Sequence, residues 1–139
     1  MEWSRPPRIL VLDDERVIAD TLAQILELQG CDSKALYTAA DALNSLDEDD
    51  HDLLITDVAL DPDSINGIDV AVYCHRLCPK CKVLLISGHA ASTDMLSAAR
   101  AQGFNFRLLQ KPVHPEDLLK LVCDTLSDLC LPAERIAAT

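Results

Sequence analysis

The stretch His51-Asp52-Leu53-Leu54-Ile55-Thr56-Asp57 decides the fold. Leu53, Leu54 and Ile55 form a short unbroken apolar run, the pattern of a strand covered on both faces, as in a parallel sheet flanked by helices. Such a strand delivers one carboxylate, Asp57, to its carboxyl end, where ligands and chemistry gather in this kind of sheet. Three further apolar runs end in related chemistry. Ile9-Leu10-Val11-Leu12 runs into Asp13-Asp14, Val83-Leu84-Leu85-Ile86 into Ser87-Gly88, and Phe106 to Gln110 into Lys111-Pro112. Four strands thus end in acid, acid, hydroxyl and amine.

Helical patterns separate these runs. Val17, Ile18, Leu22, Ile25 and Leu26 follow helical spacing over Arg16 to Gln29, with Gly30 placed as a left-handed cap. Cys31 to Tyr37 is a weaker strand, and Thr38 with Asp41 starts a helix from Ala39 to about Leu46. A polar loop follows Asp57, then a helix from about Ile68 to Leu77, stopped by Pro79. Ser92 or Thr93 caps the fourth helix and Gly103 closes it. Pro115, with Glu116 and Asp117, opens the last helix, which is expected to reach about Leu131. Five repeats of strand then helix predict an α/β, doubly wound, five-stranded parallel sheet flanked by five helices. Residues 1–7 are expected to be a flexible lead, 8–131 the domain, and 132–139 a loose tail.

The chain has 139 residues, 49% of them hydrophobic and 25% charged, which suits a single globular domain. Its net charge of −11 argues against a direct nucleic-acid surface, which needs clustered Lys and Arg. No apolar run approaches membrane-spanning length and no secretory leader is evident, so the expected location is cytoplasmic, with no membrane partner and six free thiols.

Asp13, Asp14 and Asp57 meet if their strands are neighbours. Two carboxylates about 5 Å apart repel by roughly 3 kcal/mol at an effective dielectric near 20, so three of them call for a cation. A hard divalent ion with oxygen ligands suits them, and Mg²⁺ best, since it is held by one or two carboxylates and bridges to phosphate. With Lys111 added, the charges balance. Asp57 is already ionised at neutral pH and can attack phosphorus without a general base, while the metal and Lys111 neutralise the transferring group. Ser87 is then placed to follow the new phosphate oxygens, an electrostatic switch.

These residues, in this order at successive strand ends, resemble the receiver domain of two-component response regulators, over about Arg8 to Leu131. The resemblance implies a flavodoxin-like strand order 2-1-3-4-5 and a phosphoryl group accepted on Asp57 from a histidine kinase or histidine phosphotransfer protein. It implies Mg²⁺ held by Asp13, Asp14, Asp57 and the main-chain carbonyl of Ala59, with Ser87 as switch hydroxyl and Lys111 pairing with the phosphoryl group. It also asks for a cis peptide before Pro112. Such a domain is a stand-alone switch whose output passes through another protein. It is not a metabolic enzyme, although it assists its own phosphorylation and dephosphorylation.

Two positions depart from the family pattern. The glycine usually found eight residues after the acceptor is Gly67, ten after Asp57, and the lengthened loop brings Asp61 and Asp63 toward the site. The aromatic residue usual three positions before the lysine is Leu108, which bears on how the Ser87 hydroxyl couples to the surface. Gly88 and His89 follow Ser87, where His89 could sit over the site. Leu118, Leu119, Leu121, Val122, Leu126 and Leu129 form a wide apolar stripe on the last helix, either core or a homodimer face. Two rival functions come from the same residues. One is a phosphorylation-independent interaction domain on this fold. The other is a thiol redox protein using Cys78 and Cys81, near Cys74 and His75, a reading weakened by their place at a helix C-terminus, where the dipole raises a thiol pKa.

Overall fold

The computed structural model describes residues 2–60, 65–88 and 92–131, the side chains of Ser92 and Thr93 excepted. In chain order it contains β1 (Arg8–Leu12), α1 (Arg16–Leu28), β2 (Asp32–Leu36), α2 (Ala39–Glu48), β3 (Leu53–Asp57), α3 (Gly67–Leu77), β4 (Lys82–Ser87), α4 (Ser92–Ala101), β5 (Arg107–Gln110) and α5 (Pro115–Thr125). The strands form one parallel sheet, as the strand–helix alternation predicts, in the order β2-β1-β3-β4-β5 that the family resemblance implies.

The unbroken apolar runs are explained by where alternate residues go. Ile9 and Val11, Leu53 and Ile55, and Leu84 and Ile86 face one layer with Ala19, Leu22 and Leu26 of α1 and Leu118 and Val122 of α5. Leu10, Leu12, Leu54 and Leu85 face the other, against Ala42 and Leu46 of α2, Val70, Ala71 and Cys74 of α3, and Leu96 and Ala99 of α4. Each fully buried Leu or Ile contributes about 2 kcal/mol of transfer free energy, and the buried polar residues of the central strands, Thr56, Asp57 and Ser87, are confined to their carboxyl ends. The stripe of the last helix is accounted for mainly by this packing: Leu118, Val122 and Leu126 are buried, and Leu119 and Leu121 lie partly buried against the same layer.

Local signals set the element ends. Gly30 has φ +88° and Gly103 φ +91°, the left-handed conformation expected after α1 and α4. The Thr38 hydroxyl accepts from the Asp41 N–H at 3.1 Å. Asn66 and Asp69 form a reciprocal capping box, which starts α3 at Gly67, one residue before the expected Ile68. Gly67 is required by close approach: a Cβ there would lie 1.7 Å from the Asp57 carbonyl oxygen and 2.9 Å from Thr56 Oγ1.

Three expectations fail at the opposite end of the sheet. α5 stops at Thr125 and does not reach Leu131; the Leu129 and Cys130 N–H groups both donate to the Leu126 carbonyl as the chain turns off the helix axis. The lead is not loose. Ser4 N–H donates to Leu129 O and Leu131 N–H to Glu2 O, both at 2.8 Å, while the Trp3 indole donates to Gln29 O at 2.9 Å and Arg5 forms a two-pronged pair with Asp52. Nor are all six cysteines free: Cys123 and Cys130 form a disulfide with Cα atoms 5.8 Å apart, because the turn after α5 brings the chain back beside the helix.

Gly67→Ala is expected to destabilise the fold by about 3 kcal/mol, since backbone on both sides must shift. Urea unfolding, with an unchanged slope and a lowered midpoint, checks this.

Candidate functional site

The site is assembled where the carboxyl ends of β1, β3, β4 and β5 converge. Asp13 follows β1, and Asp57 is the last residue of β3; both are buried, at 0% and 5% exposure, whereas Asp14 is exposed. Asp13 Oδ1 accepts from the Glu15 N–H at 2.9 Å. Asp57 Oδ1 accepts from the Ala59 N–H at 3.3 Å, placing the Ala59 main chain at the acceptor carboxylate.

Lys111 reaches into the site from the end of β5. Its Nζ donates to Asp57 Oδ2 at 3.1 Å and lies 3.0 Å from Asp13 Oδ2 as an ion pair without hydrogen-bond alignment. The Lys111 N–H donates to Ser87 O at 2.9 Å, tying β5 to β4. The Lys111–Pro112 peptide is cis. Gly88 lies beside the lysine stem, where a Cβ would make an ordinary contact 3.4 Å from Lys111 Cδ. Ser87 is buried at the end of β4, across from Gln110.

One oxygen from each of Asp13, Asp14 and Asp57 lies within 4.8 Å of the others. Hard anionic oxygens grouped this closely, with Asp13 Oδ2 buried and accepting no hydrogen bond, fit a hard divalent cation.

The remaining expected residues fall apart from this centre or outside the described structure. Asp61, Asp63 and His89 lie outside the described residues. Leu108 is partly buried against the α2–α4 side, opposite Leu85, while the aromatic residue of this region, Phe106, stacks on Phe104. Cys78 and Cys81 are unpaired. Cys81 is buried and its thiol is pushed up by a hydrogen bond with Cys74 and by burial, the opposite of an activated thiolate. Two contacts escaped the sequence. Glu15 Oε1 lies 3.9 Å from Lys111 Nζ, foreshadowed only by its place after two acids, and the Thr56 hydroxyl donates to the Asp57 carbonyl at 3.0 Å.

Burial raises the pKa of Asp57, opposed by Lys111 and the Ala59 N–H. Burial also raises that of Asp13, opposed by the Glu15 N–H and by Lys111. Burial of Lys111 would lower its pKa, but its contacts with Asp13 and Asp57 outweigh this and the net shift is upward. The folded state therefore holds the carboxylate protons more tightly than the unfolded chain does, so ionising these acids costs stability as pH rises through their folded values. The Lys111 contribution is full below its ordinary value and lost only as pH climbs through the raised one. Lys111→Met removes the cation between two buried carboxylates and is expected to cost about 3 kcal/mol at pH 7. The loss should shrink on acidification as Asp13 and Asp57 protonate; thermal unfolding across pH checks the sign.

Comparison with known proteins agrees with this arrangement. A family model described as the response regulator receiver domain matches residues 9–123. The alginate biosynthesis transcriptional regulatory protein AlgB of Pseudomonas putida is 32% identical over 111 residues, 80% of this chain and 24% of that protein. A putative NtrX-like response regulator of Rickettsia typhi is 26% identical over 114 residues, 82% of this chain and 24% of its own length. The chain thus spans about a quarter of the curated relatives it matches. Among solved structures, a CheY-like response regulator receiver domain protein from Methanospirillum hungatei superposes with a TM-score of 0.78 at 29% identity, covering 88% of this chain and 95% of that one. Carrying the strand order, the acidic cluster and the opposed lysine, this chain belongs to the response regulator receiver domain family of two-component systems.

Proposed function

We propose that the chain is a phosphorylation-driven switch whose acceptor is Asp57, charged by a histidine kinase or histidine phosphotransfer protein in the cytoplasm. The observation that supports this most directly is Lys111 Nζ held between Asp57 and Asp13, 3.1 Å and 3.0 Å away. A developing phosphoryl group on Asp57 meets this ammonium without any rearrangement of the strands. Mg²⁺ is the proposed cofactor, held by Asp13, Asp14, Asp57 and the Ala59 carbonyl; when bound it would offset the charge of three carboxylates and of the incoming phosphate. The chain's own residues do the rest. Asp57 supplies the attacking oxygen, and the P–N bond of a phosphohistidine donor breaks as its imidazole leaves. Lys111 stabilises the transferred oxygens, and Ser87, buried beside Lys111 on the neighbouring strand, follows them.

A groove beside the site is lined by Val17, Ile18 and Leu22 of α1 with Gly88, Lys111 and Val113. Val17 is 78% exposed, and this open apolar wall suits the docking of a donor protein. Output is proposed to follow from the changed surface and not from metabolic catalysis.

Incubation with a small phosphodonor followed by intact-mass analysis tests the reading. One Mg²⁺-dependent phosphoryl adduct is expected on the wild type, none on Asp57→Asn, and a rate about 100-fold lower on Lys111→Met. An adduct that survives in Asp57→Asn would place the acceptor elsewhere. No adduct from either a small donor or a phosphorylated kinase would favour an interaction domain that works without phosphorylation.

A further inference from the structure

The end of the sheet opposite Asp57 carries a second device. After α5 ends at Thr125, residues 126–131 turn back, and Cys130 is joined to Cys123 on the helix, seven positions earlier. This turn receives the N-terminal segment: Trp3 and Cys130 form an isolated antiparallel bridge, flanked by the Ser4–Leu129 and Leu131–Glu2 backbone bonds. Trp3 sits partly buried on the layer formed by α1 and α5, its indole bonded to Gln29 O beside Gly30. A pairing this short and this exposed is marginal by itself, and Ser127 and Asp128 lie in solvent. The disulfide restrains the turn that presents Leu129 and Leu131, removing much of the disorder that the pairing must otherwise overcome.

We propose that the Cys123–Cys130 disulfide is a redox-operated clasp: when oxidised it seats Trp3 and pairs Glu2–Ser4 with Leu129–Leu131, and when reduced it releases both segments. Both cysteines are partly exposed, so a dithiol reductant can reach the bond. In the exchange the Sγ–Sγ bond breaks, two electrons and two protons pass to Cys123 and Cys130, and the dithiol closes to its own disulfide. In a reducing compartment a disulfide of this kind is characteristically a redox-sensing one. The clasp lies near Gln29 and Asp52, at the amino ends of β2 and β3, so its opening leaves Asp57 and Lys111 in place.

The full chain equilibrated in oxidised or reduced dithiothreitol provides the test. Alkylation after denaturation should count four thiols in the oxidised protein, from Cys31, Cys74, Cys78 and Cys81, and six in the reduced one. Trp3 is the single tryptophan, so its emission should move to longer wavelength on reduction. Hydrogen exchange at the Ser4 and Leu131 amides should accelerate at least tenfold, and the thermal midpoint should fall by about 5–10 °C. The double variant Cys123→Ser, Cys130→Ser should behave as the reduced form in either buffer, which separates the clasp from any oxidation of Cys74 or Cys81. Unchanged Trp3 emission and amide protection after complete reduction would overturn the proposal. So would a count of six thiols in the oxidising buffer, or a bond reducible only after unfolding.

Discussion

The structure depends on one ammonium group placed between two buried carboxylates. Asp13 and Asp57 stand at the ends of adjacent strands, largely shielded from water, and their mutual repulsion would strain the centre of the sheet. Lys111, itself only 17% exposed, contacts both. The arrangement is under tension by construction. Burial makes both acids harder to ionise, and the lysine compensates only in part. Two buried carboxylates facing one ammonium leave net negative charge, the condition that a divalent cation would relieve.

The rest of the domain makes that placement rigid. The central strands are apolar on both faces because each carries alternate residues into two separate helical layers. Their ends are therefore fixed by packing on both sides. Where α3 must start against the Asp57 backbone, Gly67 removes the obstacle that any Cβ would make. The two residues by which the loop after Asp57 exceeds the family spacing do not displace Gly67 from the end of β3, where its N–H donates to Val58 O at 2.9 Å.

The two ends of the sheet are chemically distinct. Charge dominates the carboxyl ends, while the amino ends carry the Trp3 seat, the Arg5–Asp52 pair and the Cys123–Cys130 bond. The rigid sheet separates them, so the terminal segments can be ordered or released without rearranging the acidic site.

The sequence by itself determined the alternation of strands and helices and which side chains, Asp13, Asp14, Asp57, Ser87 and Lys111, stand at the strand ends. Short apolar runs such as Leu53-Leu54-Ile55, repeated between helical patterns, match strands buried on both faces, and a carboxylate, hydroxyl or lysine at the end of such a run lies at the carboxyl edge of a parallel sheet. Tertiary structure alone decided which charges touch. That Lys111 pairs with Asp13 as well as Asp57, that Glu15 approaches it, and that Asp14 stays exposed depend on distances between strand ends, which spacing along the chain does not encode. The lead and the end of the last helix depart from their local patterns for a related reason. Pro6-Pro7 and the apolar spacing through Leu129 report local preference, whereas Trp3, Leu129 and Cys130 are placed by long-range pairing and a covalent bond. Local patterns govern where elements form; only the packed chain decides where their ends meet.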